Sequence, residues 1–218
     1  MKKIDKLKIV VAVSGAGRSL ENLILYSKMP DAAFEIVGVI SSKIACRAES
    51  VAQNENIPLL RGDFSKHDKK LAIATDSFLS KTKAGLIVLA GFLKPFPVLP
   101  QFQNKTINIH PALLPKYGGK GMYGMKVHAA VFANHEKTTG ATVHLVNEEY
   151  DKGQIIAQIV FDIKSDDSAE IIANKVFECE CLLLPFIISK IARKELSLSL
   201  LGKHSIYKFE DLKKNGSL

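Results

Sequence analysis

Asn108 and His110 stand two residues apart at the end of a short run rich in β-branched residues, Thr106-Ile107-Asn108-Ile109. Alternate side chains of a strand face opposite sides, so this amide and this imidazole project to the same side. Pro111 removes a backbone donor and holds His110 extended, which ends the strand there. Pro115, Gly118, Gly119 and Gly121 keep the following residues as a shaped loop. Asp151 lies in a polar turn, Asn147–Gly153, between two alternating stretches, and loops at the ends of neighbouring strands can converge. Asn108, His110 and Asp151 together offer an oxyanion donor, a proton-bearing imidazole and a carboxylate that raises its pKa. For His67, His128, His135, His144 and His204, in helices, strands or tails, surface or packing roles suffice.

Nothing in the chain reads as a nucleophile. Ser14 and Ser19 lack a G-x-S-x-G elbow. Cys46, Cys179 and Cys181 have no cationic or helix-start context that would make a thiolate, and their spacing fits neither a disulfide framework nor a zinc finger. They read as buried free thiols of a reducing cytosol. No H-E-x-x-H or carboxylate cluster is present, so no metal is expected. What remains is direct transfer, in which an amine of one substrate attacks an acyl carbon of another without a covalent enzyme intermediate.

The elements that must position these groups follow from hydrophobic periodicity. Leu7–Val13 is a near-continuous apolar run, as a central parallel strand requires. Ser14-Gly15-Ala16-Gly17-Arg18-Ser19 and a helical stretch from Leu20 follow it. A strand, a glycine turn and a helix aim free N–H groups and a positive helix end at an anion. The turn is G-x-G-x-S, short of the dinucleotide G-x-G-x-x-G and without a P-loop lysine. The pattern predicts strands at Phe34–Ser41, Ile57–Leu60, Leu86–Ala90, Thr106–His110, Thr139–Leu145 and Gln154–Ile163. It predicts helices at Ala45–Asn54, Ser65–Lys81 (capped by Ser65 or Asp63), Lys126–Asn134 and Ser168–Ile191 (capped by Asp167 or Ser168). Alternating strands and helices give an α/β fold: a single doubly wound, mostly parallel sheet with an antiparallel extension after residue 139. Such sheets bind ligands beyond the carboxyl ends of their strands, where Asn108 and His110 fall.

The 218-residue chain, 47% hydrophobic and 24% charged, is long enough for one well-buried domain. Residues 1–195 are expected to form it, with 196–218 a weakly patterned basic tail. No apolar run approaches the ~20 residues of a membrane span. The N-terminal MKKIDKLKIVVAVS, broken by Asp5 and Lys8, reads as a first strand and not a secretion signal, and a cytoplasmic location is expected. A formal charge of +8 fits an anionic small substrate, nucleic acid or plain solubility. The lysines are scattered and tryptophan is absent, so nucleic acid is not expected as a partner.

Four segments carry a resemblance: SGAGRSLENL (Ser14–Leu23), LAGFLKPF (Leu89–Phe96), INIHPALLPKYGGKG (Ile107–Gly121) and EEYDKGQII (Glu148–Ile156). In order and spacing they resemble the folate-dependent phosphoribosylglycinamide formyltransferase family of purine synthesis, over about residues 7–195. The resemblance implies a Rossmann-like formyltransferase fold. It implies 10-formyltetrahydrofolate as co-substrate and glycinamide ribonucleotide as the formyl acceptor, in a monomer or homodimer. Carried over residue by residue, it makes Asn108, His110 and Asp151 the catalytic group, with Asp151 keeping His110 protonated. Gly17, Arg18 and Ser19 match the segment that binds the ribonucleotide phosphate, and Glu180 a residue that holds the ribose hydroxyls. Leu93, Lys94, Pro95 and Phe96 match the folate-embracing segment, with Asn108, Val146 and Tyr150 completing that site.

The chain departs from the family in several places. Ser19 stands where asparagine is usual, Arg18 replaces a small residue, and Lys94 replaces an arginine, keeping charge but losing the planar fork. Lys152 intervenes before Gly153, and Met125 replaces a frequent histidine. A folate-assisting arginine has only Lys66 and Lys69 as counterparts. Within the superfamily, methionyl-tRNA formyltransferase would need an added RNA-binding domain and formyltetrahydrofolate deformylase a regulatory one, neither visible here. A non-catalytic nucleotide-binding module would call for an acidic residue ending the second strand, where Ser41 and Ser42 stand.

Overall fold

Ile9 to Val13 are completely buried, as a strand covered on both faces must be. In the computed structural model, which describes residues 5–65, 68–97 and 99–215, this strand is β1, Leu7–Val13. Its alternation feeds two cores. Ile9, Val11 and Val13 join the larger apolar cluster, while Val10 and Ala12 join the one around Phe64, Leu79 and Phe92. A helix follows most strands: α1 (Arg18–Ser27), β2 (Phe34–Ser41), α2 (Arg47–Asn54), β3 (Leu59–Arg61), α3 (Lys69–Thr82) and β4 (Leu86–Leu89). Then come β5 (Thr106–His110), α4 (Met125–Ala133), β6 (Thr138–Leu145), β7 (Ile155–Asp162), α5 (Ala169–Ala192), β8 (Ser205–Lys208) and α6 (Phe209–Asn215).

One eight-stranded sheet results, in the order β3-β2-β1-β4-β5-β6-β7-β8. Pairing is parallel from β3 through β5, and β6 runs antiparallel to both β5 and β7. The expected doubly wound sheet with an antiparallel extension is therefore present. The weakly patterned chain after Ala192 carries β8, which pairs parallel with β7, and α6. Among the described residues no helix is long and apolar enough to cross a membrane.

Two helix starts differ from the sequence reading. Ala45 takes a left-handed φ of 55°, so α2 begins only at Arg47. Helix α3 begins at Lys69, where the Asp68 carboxylate accepts the Lys70 N–H at 2.8 Å. Asp63, expected as a cap, instead accepts the Ser65 N–H at 3.0 Å in a local turn. Ser168 caps α5 as one of the two expected residues, accepting the Ile171 N–H at 3.3 Å.

Candidate functional site

The β5–β6 register decides what meets at the carboxyl end of β5. Asn108 lies opposite His144 and His110 opposite Thr142. Spacing of two on each strand therefore puts four polar side chains on the same end of one strand pair. Thr142 serves as a scaffold. Its hydroxyl donates to the Ala112 carbonyl at 2.6 Å and accepts the Leu114 N–H at 3.1 Å. Gln158 on β7 donates to the same hydroxyl and to the Leu114 carbonyl. These bonds hold the loop after Pro111 against β6 and β7. Leu114–Pro115 within it is cis.

His110 is 3% exposed and lies behind the cleft wall formed by Asn108, His144 and Asp151. Its Nε2 donates to the Tyr117 carbonyl at 2.8 Å, which leaves Nδ1 facing Asp151 Oδ2 at 3.5 Å. Tyr117 has a left-handed φ of 58°, and this backbone turn presents its carbonyl to the ring. Asp151 is itself left-handed, with φ 57°, a conformation that aspartate tolerates better than most residues. Its Oδ2 also accepts the Gly119 N–H at 2.8 Å, and its Oδ1 lies 3.5 Å from His144 Nε2. Thus the carboxylate expected to fold back on His110 does so, pinned by the glycine loop.

His144 is the functional candidate that sequence reasoning missed. It was legible only as a strand residue with a packing role, yet at 2% exposure it contacts both Asn108 and Asp151. Its Nδ1 donates to the Leu145 carbonyl at 2.8 Å, so in the neutral ring Nε2 accepts the Asn108 side-chain N–H at 3.0 Å, and in the protonated ring it faces Asp151 as a donor. One Asn108 N–H is thereby fixed and the second points elsewhere. The available signal was the Thr142–His144 spacing, which mirrors Asn108–His110 on the strand that pairs with it.

The electrostatics correct one expectation. Burial pushes the His110 pKa below its ordinary value, and Asp151 and the Tyr117 carbonyl pull it up without prevailing; nearby His144 adds to the lowering. Asp151 thus opposes deprotonation of His110 but does not keep its pKa above the usual histidine range in the free protein. For Asp151, burial favours the neutral acid, but His144, the charge of His110 and the Gly119 N–H together hold it below the usual carboxylate range.

Beside this cluster a cleft runs between two loops. Lys94, Pro95, Phe96, Asn108, Val146 and Tyr150 line it, as do Leu89 and Phe92. Leu93 is absent from the wall: its side chain is exposed and its N–H is tied to Ser14 Oγ at 2.8 Å. Phe64 and Phe92, which were not expected, pack with Phe96 in an aromatic trio whose centroids lie 5.2–6.1 Å apart, and this fixes the floor. Lys69 opens α3, and Lys66 lies outside the described residues.

Gly17, Arg18, Ser19 and Glu180 gather at a neighbouring position. Gly17, at φ 75°, precedes α1 with no side-chain cap, and a Cβ there would meet Ala48 at 2.9 Å. Arg18 lies over the Phe177 ring, and the Glu180 carboxyl is pushed up to about 8 by burial, with Arg18 opposing. Ser14 joins the two sites, its N–H donating to the Gly91 carbonyl and its hydroxyl meeting Ser42 Oγ at 2.6 Å. Cys46 and Cys179 are buried and Cys181 half-buried; burial raises the Cys179 thiol and pushes that of Cys181 up to about 11. With their thiols held in the neutral form, neither Cys179 nor Cys181 is a nucleophile near neutral pH.

A family model described as formyl transferase matches residues 7–188. The chloroplastic phosphoribosylglycinamide formyltransferase of Vigna unguiculata is 34% identical over 197 residues, covering 88% of this chain and 63% of that protein. The chain thus spans somewhat less than two thirds of that plant relative. The phosphoribosylglycinamide formyltransferase of Haemophilus influenzae is 35% identical over 196 residues, covering 88% of this chain and 90% of that one. The crystal structure of phosphoribosylglycinamide formyltransferase from Anaplasma phagocytophilum superposes with a TM-score of 0.80 at 26% identity, covering 94% of this chain and all of that one.

Proposed function

The chain belongs to the formyl transferase family, and from that premise we propose that it transfers the formyl group of 10-formyltetrahydrofolate to the amine of 5′-phosphoribosylglycinamide, in purine synthesis. The observation that carries this reading is the convergence of Asn108, His110 and Asp151 at one strand end, beside the cleft. The residue roles are part of the proposal, as is a cytoplasmic monomer or homodimer whose formyltransferase unit is residues 1–195.

In this reading the folate occupies the cleft between Lys94–Phe96 and Val146–Tyr150. The acceptor's phosphate sits at Gly17, Arg18 and Ser19, and its ribose near Glu180. The acceptor nitrogen attacks the formyl carbon, forming the new C–N bond while negative charge grows on the formyl oxygen. The free N–H of Asn108 and the positive charge of imidazolium His110 stabilise that charge. One such preorganised donor is typically worth ~2.7–4 kcal/mol of barrier. The growing negative charge adds to that of Asp151, so imidazolium is favoured at the step that needs it, against the burial that disfavours it in the free protein. The old C–N bond then breaks, and the proton lost by the amine reaches the departing folate nitrogen through water.

An absorbance assay of folate release with and without glycinamide ribonucleotide tests the reading. Release that depends on the ribonucleotide is expected. Equal release in its absence would make the protein a deformylase, and no release under either condition would leave a nucleotide-binding module.

A further inference from the structure

Two arginines flank the glycine loop, and they are used differently. Arg47, at the start of α2, is neutralised by Glu21 through two parallel bonds of 2.5 and 2.8 Å. It also donates to the Ala16 carbonyl at 2.9 Å, so its work is to brace the loop. Arg18, at the first position of α1, makes no ion pair among the described residues. Its guanidinium lies 4.0 Å from the centroid of the Phe177 ring, on α5.

A ring and a carboxylate hold an arginine with different consequences. A carboxylate orients the guanidinium and cancels its charge. An aromatic face orients the plane and leaves the positive charge and the in-plane N–H groups available. Phe177 and Glu180 are three apart on α5 and so share a helix face, with the ring and not the carboxylate beneath the guanidinium. The two helices are also fastened beside the stack, since Asn22 of α1 donates to the Cys181 carbonyl of α5 at 2.9 Å. Arg18 therefore stands exposed at the positive end of α1, where the first N–H groups have no partner inside the helix.

We propose that Phe177 is a positioning residue. Its ring holds Arg18 planar and unpaired, so that the guanidinium takes a terminal phosphomonoester together with the first turn of α1. The stack thereby sets the preference for a phosphorylated over an unphosphorylated sugar substrate. This deepens the reading above and rests on it for the identity of the acceptor. The phosphate contact itself can be read without any formyl transfer.

The test is calorimetric binding of ribose 5-phosphate, with steady-state kinetics in parallel. Phe177→Ala is expected to weaken ribose 5-phosphate about tenfold. In kinetics it should raise KM for the ribonucleotide by a similar factor, leaving kcat and KM for the formyl donor within twofold. Phe177→Tyr keeps the face and should restore binding. In an Arg18→Ala background, Phe177→Ala should add nothing, because the ring acts only through the guanidinium. Unchanged affinity in Phe177→Ala, or the same loss with and without Arg18, would overturn the inference. So would a uniform fall in every kinetic constant and in thermal stability. A wild-type protein that binds ribose 5-phosphate in this Phe177-dependent way but transfers no formyl group would sink the transferase reading alone.

Discussion

Asp151 bridges two imidazoles: its Oδ2 lies 3.5 Å from His110 Nδ1 and its Oδ1 lies 3.5 Å from His144 Nε2. The carboxylate is placed by the backbone on both sides. Gly119 donates to it, and Gly153 follows it at a point where a Cβ would fall 1.7 Å from the Leu145 carbonyl oxygen. The turn carrying Asp151 can therefore close against β6 only with glycine at 153.

Gly118→Ala probes this placement without removing any charged group. A Cβ at 118 would meet Leu114 Cδ2 at 2.4 Å and Asp151 Cβ at 3.1 Å. Overpacking of this kind costs ~1–3 kcal/mol. The side chain can relieve it only by displacing Leu114 or Asp151. Turnover is expected to drop at least tenfold, while urea unfolding shows a native-like cooperative transition lowered by about that cost.

His144 should matter through Asn108. His144→Leu removes the acceptor that fixes the amide, so the proposed oxyanion donor loses its orientation. A fall of ~10–100-fold in kcat is expected, part of what losing such a donor outright would cost. KM for the ribonucleotide should hold, because the glycine loop lies elsewhere on the sheet edge. In an Asn108→Ala background the same substitution should have little further effect, which a double-mutant cycle would show.

His128 on α4 gives the fold a pH dependence of its own. It is buried, its Nδ1 has no hydrogen-bond partner among the described residues, and burial first, then the charge of His110, pushes its pKa down to about 4. The unfolded chain, titrating near 6.5, binds the proton more readily, so stability falls as pH drops from about 6.5 towards 4 and is fully present above that window. At ~1.4 kcal/mol per pH unit the contribution is on the order of 3 kcal/mol at most. Urea melts across that range should show a shallower loss for His128→Gln than for the wild type. Equal slopes would show that His128 accepts its proton in the folded protein at no cost.

The sheet was legible because β1 and β4 are apolar on both faces, a pattern that only a central parallel strand explains. Asn108 and His110 were legible because proline punctuates the strand directly behind them. Helix α3 started late because Asp68 and Asp63 are equally good caps in sequence, and nothing local says which turn the helix will use. His144 was illegible for a different reason. Its role exists only through the antiparallel β5–β6 register, a long-range pairing that single-strand periodicity does not specify. The same holds for Phe177, whose spacing on α5 reads as helix packing until α1 delivers a guanidinium onto its ring. The lowered pKa of His110 was missed because spacing names its charged partner but not the depth at which the pair is buried.

The central claim is that the Asp151 carboxylate drives chemistry at His110 and does little for binding. Steady-state kinetics of Asp151→Asn, with ribonucleotide and formyl donor each varied, test it most directly. General acid–base partners typically contribute 10²–10⁴-fold, so kcat should fall by at least ~100-fold. Both KM values should stay within about threefold. A kcat within a few-fold of wild type, or KM values rising in proportion to the lost rate, would contradict it.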